Sequence, residues 1–404
     1  MSESPAASRT QITYFYELWR SAAAGIIETA GTTFLLTIAV KQFAAGSVSK
    51  GVVAGSGSLG LLLSLLVVSL VKSKGWRTGK AASWILAIGA VGFLLASLLP
   101  YLSVFVCGCM VGMAASSAII PLLTQMYHEN YPEDKRGQFF SRTVMVRIAM
   151  AAGFSKLAGD ALSGHIAEYR WLLLVFSVAL VLASFCLARC PTTPILSDGG
   201  TNPFRALRFV RDDALFRRTL ICWMFMGFAN LMMIPLRVEY LANPKYSVAA
   251  TVGMIALLTG VIPNLARLIL SPVWGYLFDH MNFFLLRVLL NFGFAIGILT
   301  FFTSDSLTGL VIGAIIFGIS NSGGDVAWGL WVTKFAPPGH VADYMSVHTF
   351  LTGIRGVLAP LIAFQVAAYY SLGGLACCSS ALIVLATLML IPEVRWKRKN
   401  PMSV

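Results

Sequence analysis

Five ionisable side chains stand where only greasy sequence should surround them: Glu28, Arg147, Arg267, Asp325 and Arg355. A charge at the centre of a bilayer costs about 2.5–3.5 kcal/mol on insertion scales, so each needs a partner, a wet cavity or a passing solute. The chemistry on offer is binding and proton or ion exchange. Glu28, removed from bulk water, can load and release a proton. Arg147 and Arg355 carry planar guanidinium forks that grip a carboxylate or phosphate through paired N–H donors. The competing arrangement pairs them internally, Glu28 with Arg147 and Asp325 with Arg355 or Arg267, as locks within each half. Two polar stripes accompany the charges at helical spacing: Gly318, Asn321, Asp325 and Trp328 on one stretch, Asn264, Arg267 and Ser271 on another. Such stripes suit either a cavity for a small polar ligand or hydrogen bonds between helices. Lys156 and Asp160, four apart, read as a local ion pair near an interface, and Arg20 and Arg237 stand close enough to span ends to snorkel.

The elements that position these groups are apolar stretches of membrane-crossing length. They fall at roughly 18–40, 51–71, 81–99, 103–127, 139–163, 169–188, 219–240, 248–278, 284–303, 308–335, 341–370 and 374–392. A bilayer core about 30 Å thick takes roughly 20 apolar residues per helix, so these spans predict an all-α polytopic membrane protein with 12 transmembrane helices. At about 1.5 Å per residue, the five charges lie roughly 12–20 Å from the helix ends, near mid-membrane. With 57% hydrophobic and 12% charged residues, the 404-residue chain has no room for a soluble domain. Met1–Tyr16 is polar and leads into an apolar run without a small-residue cleavage pattern, so no cleaved signal peptide is expected.

A net charge of +13 would suggest nucleic acid in a soluble protein. Here, with the amino terminus placed in the cytoplasm, alternate loops carry twenty Lys and Arg inside and four outside. That bias predicts cytoplasmic termini, and the scatter of basic residues over short loops argues against nucleic acid. The compact loops fit a bacterial cytoplasmic membrane, and the chain is expected to work there as a monomer. Seven cysteines lie mostly inside spans, without metal spacing or a histidine cluster, and read as free thiols. No metal or cofactor is expected. Residues 191–217, turn-rich and then basic, divide a first unit, 1–190, from a second, 218–404; Asn202 and Pro203 predict the start of a short amphipathic helix on the membrane surface.

The two units read as a repeat. Gly25 and Glu28 answer to Gly227 and Asn230 at an offset of 202, Ser64 to Ser271 at 207, and Arg147 to Arg355 at 208. Pairing Ser141 with Ser346 instead gives 205. A slowly drifting offset is what a duplicated six-helix unit with small insertions gives. After the eighth span come Trp274, Gly275, Asp279 and His280, followed by Arg287, and the chain here resembles the major facilitator superfamily over essentially its whole length. The resemblance implies two pseudo-symmetric six-helix bundles with a gate loop in which Gly275 permits close helix contact and Asp279 holds a helix end and a basic partner. In the first half Val68 and Lys72 replace the glycine and aspartate, while Gly75 and Arg77 keep the trailing pair. The fourth span has no arginine, and Phe154 follows Gly153 where the drug-antiporter branch carries proline, which counts against a proton-driven drug exporter.

The nucleotide-like glycines at 55, 57 and 60 lie inside an apolar span and read as helix-packing residues. No Walker loop or catalytic constellation occurs, so the expectation is not an enzyme. It is a secondary active, cation-coupled (H+ or Na+), or facilitative transporter of a small polar metabolite, anionic ones included. The alternative is a transport-inactive sensor, scaffold or lipid-handling protein on the same fold.

Overall fold

The computed structural model describes residues 5–132, 136–194, 204, 207–246, 248, 250–304, 306–334 and 341–395. These are almost wholly helical, and the one β-type pairing among them is an isolated bridge between Arg77 and Pro194. Helix α1 comprises Pro5–Thr29, a π-helical turn at Ala30–Phe34, and Leu35–Lys41. Then follow α2 (Ser47–Ser73), α3 (Thr78–Leu98), α4 (Leu102–Ala118 continued by Ile120–Asn130), α5 (Arg136–Leu162) and α6 (Tyr169–Arg189). The second series is α7 (Ala214–Ala242), α8 (Val252–Ala256, a π-helical turn Leu257–Val261, then Ile262–His280), α9 (Phe283–Phe302), α10 (Leu307–Leu330), α11 (Val341–Tyr369) and α12 (Leu372–Leu390).

Ten stretches among the described residues are long and apolar enough to cross a membrane. The most informative exception is α5, which carries Arg136, Arg142, Arg147, Lys156 and Asp160. Its polarity reflects its place: α5 packs against α8 of the other bundle.

The same neighbours recur in both halves. The pairs α1–α5, α1–α6, α2–α4, α3–α4 and α3–α6 have counterparts in α7–α11, α7–α12, α8–α10, α9–α10 and α9–α12. Between bundles, α2 packs on α11 as α5 packs on α8. The architecture is therefore two six-helix bundles related by pseudo-two-fold symmetry. The predicted surface helix of the linker is only partly within the described residues, since Asn202 and Pro203 lie outside them. What is described is one turn, Arg208–Asp212, whose Phe209 packs on Tyr344 of α11 with ring centroids 4.9 Å apart.

Glycine sets two decisive approaches. A Cβ on Gly25 would collide with the Arg147 carbonyl oxygen, so only glycine lets α1 and α5 meet there. Its counterpart Gly227 lies directly against the Arg355 guanidinium. The residues matched in the sequence by offset thus meet in both halves, through the Arg147 backbone in the first and the Arg355 side chain in the second. We expect Gly25→Leu to force α1 off α5 and to lower the unfolding temperature by the equivalent of at least the roughly 1–3 kcal/mol typical of overpacking. Thermal unfolding in detergent measures this; an unchanged midpoint would remove Gly25 as a packing determinant.

We term the face where α1 begins and α12 ends the termini face. At the opposite, far face the bundles are drawn together. The Thr33 and Thr259 hydroxyls lie 2.9 Å apart, joining the two π-helical turns. The Lys50 ammonium donates to Glu239 at 2.5 Å, and the Gly253 N–H to the Ser163 hydroxyl at 2.7 Å. Residues 33–40 of α1 and 235–239 of α7 are buried on every side, whereas both helices show exposed positions nearer the termini face. The π turn in α8 has a local cause. Pro263 has no N–H to return to the Thr259 carbonyl, and the helix widens there.

Candidate substrate and coupling site

Glu28 lies just before the π turn of α1, Ala30–Phe34, and Asn264 and Arg267 lie in the first two turns of helix after that of α8, Leu257–Val261. The two turns abut, so the charged residues beside them meet across the bundle interface. Arg267 is the hub. Its Nη1 donates to Glu28 Oε1 at 2.5 Å and to Asn264 Oδ1 at 2.7 Å. Its Nη2 and Nε donate to Asp325 Oδ2 at 2.7 and 3.1 Å. Arg147 approaches the other Glu28 oxygen, with Nε 3.2 Å from Oε2, at an angle that makes it an ion contact rather than a hydrogen bond. Ser322 of α10 donates to the Arg267 carbonyl at 3.1 Å, and Ser271 donates to the same oxygen at 2.6 Å, fixing α8 against α10 behind the guanidinium.

Access is graded. The Arg267 side chain is 7% exposed and that of Glu28 18%, while Arg147 reaches 36% and Asp325 46%. The cluster therefore leaves one carboxylate and one guanidinium accessible and hides the arginine that joins the bundles. Two positive and two negative groups balance, so the cluster offers a polar solute both donors and acceptors without a net field.

Several expectations need correction. Arg355 does not face Arg147 as a symmetric anion clamp. It is 4% exposed inside the second bundle, bonded through Nη1 to the Trp223 carbonyl and through Nη2 to Thr352 Oγ1 at 3.2 Å. Nor does it pair with Asp325, which goes to Arg267. The locks are not confined to each half either, because Glu28–Arg267 crosses between them. Asn321 is partly exposed on α10 beside Asp325, and Trp328 turns its ring toward His348, 5.6 Å between centroids. Gly275 is helical with open space where a Cβ would go, so it permits no close contact here, and the Asp279 side chain lies outside the described residues. Arg287 is 2% exposed within the second bundle, its guanidinium 3.8 Å from the Trp223 ring, and does not stand at a gate between bundles. Gly75 lies in a turn at φ +62°, and Arg77 precedes the first turn of α3. Arg77 also lines, with Arg9, Lys80 and Thr192, a recess of about 310 Å³ at the end of the first bundle, away from the charged cluster. Lys156 and Asp160 form the expected exposed pair at 2.7 Å.

Two groups escape sequence reasoning. Arg20 does not snorkel: it forks onto Glu17 at 2.6 and 2.7 Å, and the Tyr127 hydroxyl donates to the same carboxylate at 2.5 Å, tying α1 to α4. Arg237 is likewise 6% exposed, stacked 3.8 Å over Phe317. Glu17 near a span end, with Arg20 three residues on, is the signal the sequence offers.

The family model described as Major Facilitator Superfamily matches residues 18–360. The chain belongs to this superfamily. Its fold matches a solved nucleoside transporter, NupG, at a TM-score of 0.73 and 11% identity, over 96% of this chain and 100% of that one. It matches a D-xylose-proton symporter at 0.71 and 16% identity, over 98% and 100%. The inward open conformation of the xylose transporter XylE from E. coli aligns at 0.67 and 15%, over 98% of each chain. No curated protein sequence matches the chain significantly. At these identities the likeness establishes the fold: an integral membrane protein of the superfamily's two-bundle transporter architecture.

Proposed function

We propose that the protein is a cation-coupled secondary transporter of a small polar metabolite, working by alternating access about the Glu28–Arg267–Asp325 cluster. One observation carries this reading: a single arginine holds a carboxylate from each bundle, Glu28 of α1 and Asp325 of α10. Separating the bundles must break the Glu28 bond while Asp325 stays with α8. A proton or cation arriving at Glu28, or a solute replacing its oxygens, supplies the free energy that otherwise resists opening. The exposed side chains of Asp325 and Arg147 favour a solute with both donors and acceptors over a simple anion, since the cluster carries no net charge. The charge bias of the loops supports placing the termini face in the cytoplasm, so the arrangement described, drawn together at the far face, is the one facing inward. Units 1–190 and 218–404 move as the two rocking bodies, with 191–217 between them.

The test begins with thermal-shift screening of the purified protein against polar metabolites, because a ligand of the native state raises its melting point. The hit is then followed in proteoliposomes. Glu28→Gln is expected to abolish uphill accumulation under an imposed proton or sodium gradient while leaving exchange of the same solute measurable. Accumulation equal to that of the unsubstituted protein would take Glu28 out of coupling.

A further inference from the structure

The pseudo-symmetry breaks at one charge. In the first bundle Gly25 brings α1 against Arg147, and three residues further on Glu28 supplies a carboxylate 3.2 Å from that guanidinium. In the second bundle Gly227 brings α7 against Arg355, and three residues further on stands Asn230. Asparagine is one methylene shorter than glutamate and carries no charge. Arg355, 4% exposed, has no carboxylate partner among the described residues, and its Nε makes no hydrogen bond.

A second cation compounds the deficit. Arg287, 2% exposed, holds its guanidinium 3.8 Å from the Trp223 ring and makes no ion pair among the described residues; its Nη1 is buried without a partner. The Arg355 guanidinium lies 5.9 Å from the same ring. Trp223 Nε1 and His348 Nε2 are buried and unpartnered as well, with the two rings 5.1 Å apart. Contact with an indole face offsets only part of the cost of desolvating a guanidinium. Two buried cations without a counter-charge among the described residues, beside the unused Trp223 N–H, describe a site for an anion.

We propose that a compact monovalent inorganic anion of the halide class binds between Arg287 and Arg355 beside Trp223, supplying the charge that Glu28 supplies in the first bundle. Compactness follows from the packing, because Gly227 is already backed by the Arg355 guanidinium. A single charge follows from desolvation, which rises steeply with ionic charge. The proposal rests on the second bundle alone and stands or falls independently of the transport reading.

The melting point of the purified full-length protein tests it, as sodium gluconate is replaced by sodium chloride or bromide at constant ionic strength. The unsubstituted protein is expected to show a saturable rise of several degrees with either halide. Arg287→Met, which removes one buried cation, is expected to lose most of that rise while melting no lower than the unsubstituted protein in gluconate. Asn230→Glu, which adds a carboxylate to α7 three residues from Gly227 and its contact with Arg355, is expected to gain stability in gluconate and to respond little to halide. The absence of a halide-specific rise in the unsubstituted protein would overturn the proposal. So would a rise that persists in full in both variants.

Discussion

Replacing Arg267 with methionine is expected to abolish transport and to lower the unfolding temperature together. The guanidinium is nearly buried and satisfies Glu28, Asp325 and Asn264 at once. Without it, Glu28 keeps only the oblique contact to Arg147, and Asp325 has no cation. Removing one partner from a buried ion network costs about 3–5 kcal/mol, mostly because the remaining charge is stranded. That origin makes the prediction separable into two parts. If the loss comes from stranded carboxylates, then Arg267→Met combined with Glu28→Gln and Asp325→Asn should recover most of the stability. Transport should stay lost, because the triple variant has nothing to exchange between bundles. Arg267→Lys tests geometry in between. A lysine ammonium keeps the charge but lacks the planar fork that reaches two carboxylates on opposite sides. It should fold better than Arg267→Met and still lose at least tenfold in solute counterflow. Melting curves in detergent and counterflow in proteoliposomes read the two parts; a single methionine variant as stable as the unsubstituted protein would mean that the cluster holds nothing together.

The charges of this cluster are legible in the sequence because their cost is. A lone Glu28 or Arg267 in an apolar run needs a reason, and depth follows from counting residues along a helix. Their partners are not legible. Glu28 and Arg267 are 239 positions apart, on helices that no local spacing relates, and two π-helical turns bring them together. Counting along a helix gives depth but not which neighbour a side chain faces. Arg355 thus reads as a cleft residue while it lies against Gly227 inside its own bundle. For Arg20, near a span end, reach to the headgroups accounts for an arginine too easily, and nothing in the sequence points to Tyr127 on another helix. The repeat is more informative, since the matched residues meet in both halves, Gly25 against the Arg147 backbone and Gly227 against the Arg355 side chain. The same comparison also shows where the halves diverge, at Glu28 and Asn230. Lys50 reads from the sequence only as one basic residue of an outer loop, and nothing nearby singles out Glu239. The two form a tightly held pair between bundles.

That pair carries the last large effect expected here. Lys50 of α2 and Glu239 of α7 are buried together at 2.5 Å, with the Asn243 side-chain amide donating to the same carboxylate oxygen at 2.7 Å. The Lys50 ammonium also lies 5.2 Å from the Phe364 ring centroid. Any state that opens the far face must pull this latch apart, so its strength belongs to the closed arrangement alone. Glu239→Gln removes the ionic attraction but keeps the shape and one hydrogen-bond acceptor. Breaking one side of a buried, hydrogen-bonded charge pair typically costs about 2–5 kcal/mol. Half of that, lost only from the closed state, shifts a two-state population about five- to seventyfold toward opening. The measurement is alkylation of a single cysteine placed at Thr33, just beneath the latch, on a background without the native cysteines. A membrane-impermeant maleimide added from the far side should label it at least about fivefold faster when Glu239→Gln is present. Lys50→Met in the same protein should accelerate labelling too, and joining the two substitutions should add little, because the first has already opened the contact the second would break. Labelling at an unchanged rate in both single variants would mean that the far face is held shut elsewhere, by the Ser163–Gly253 contact and the helix packing around it.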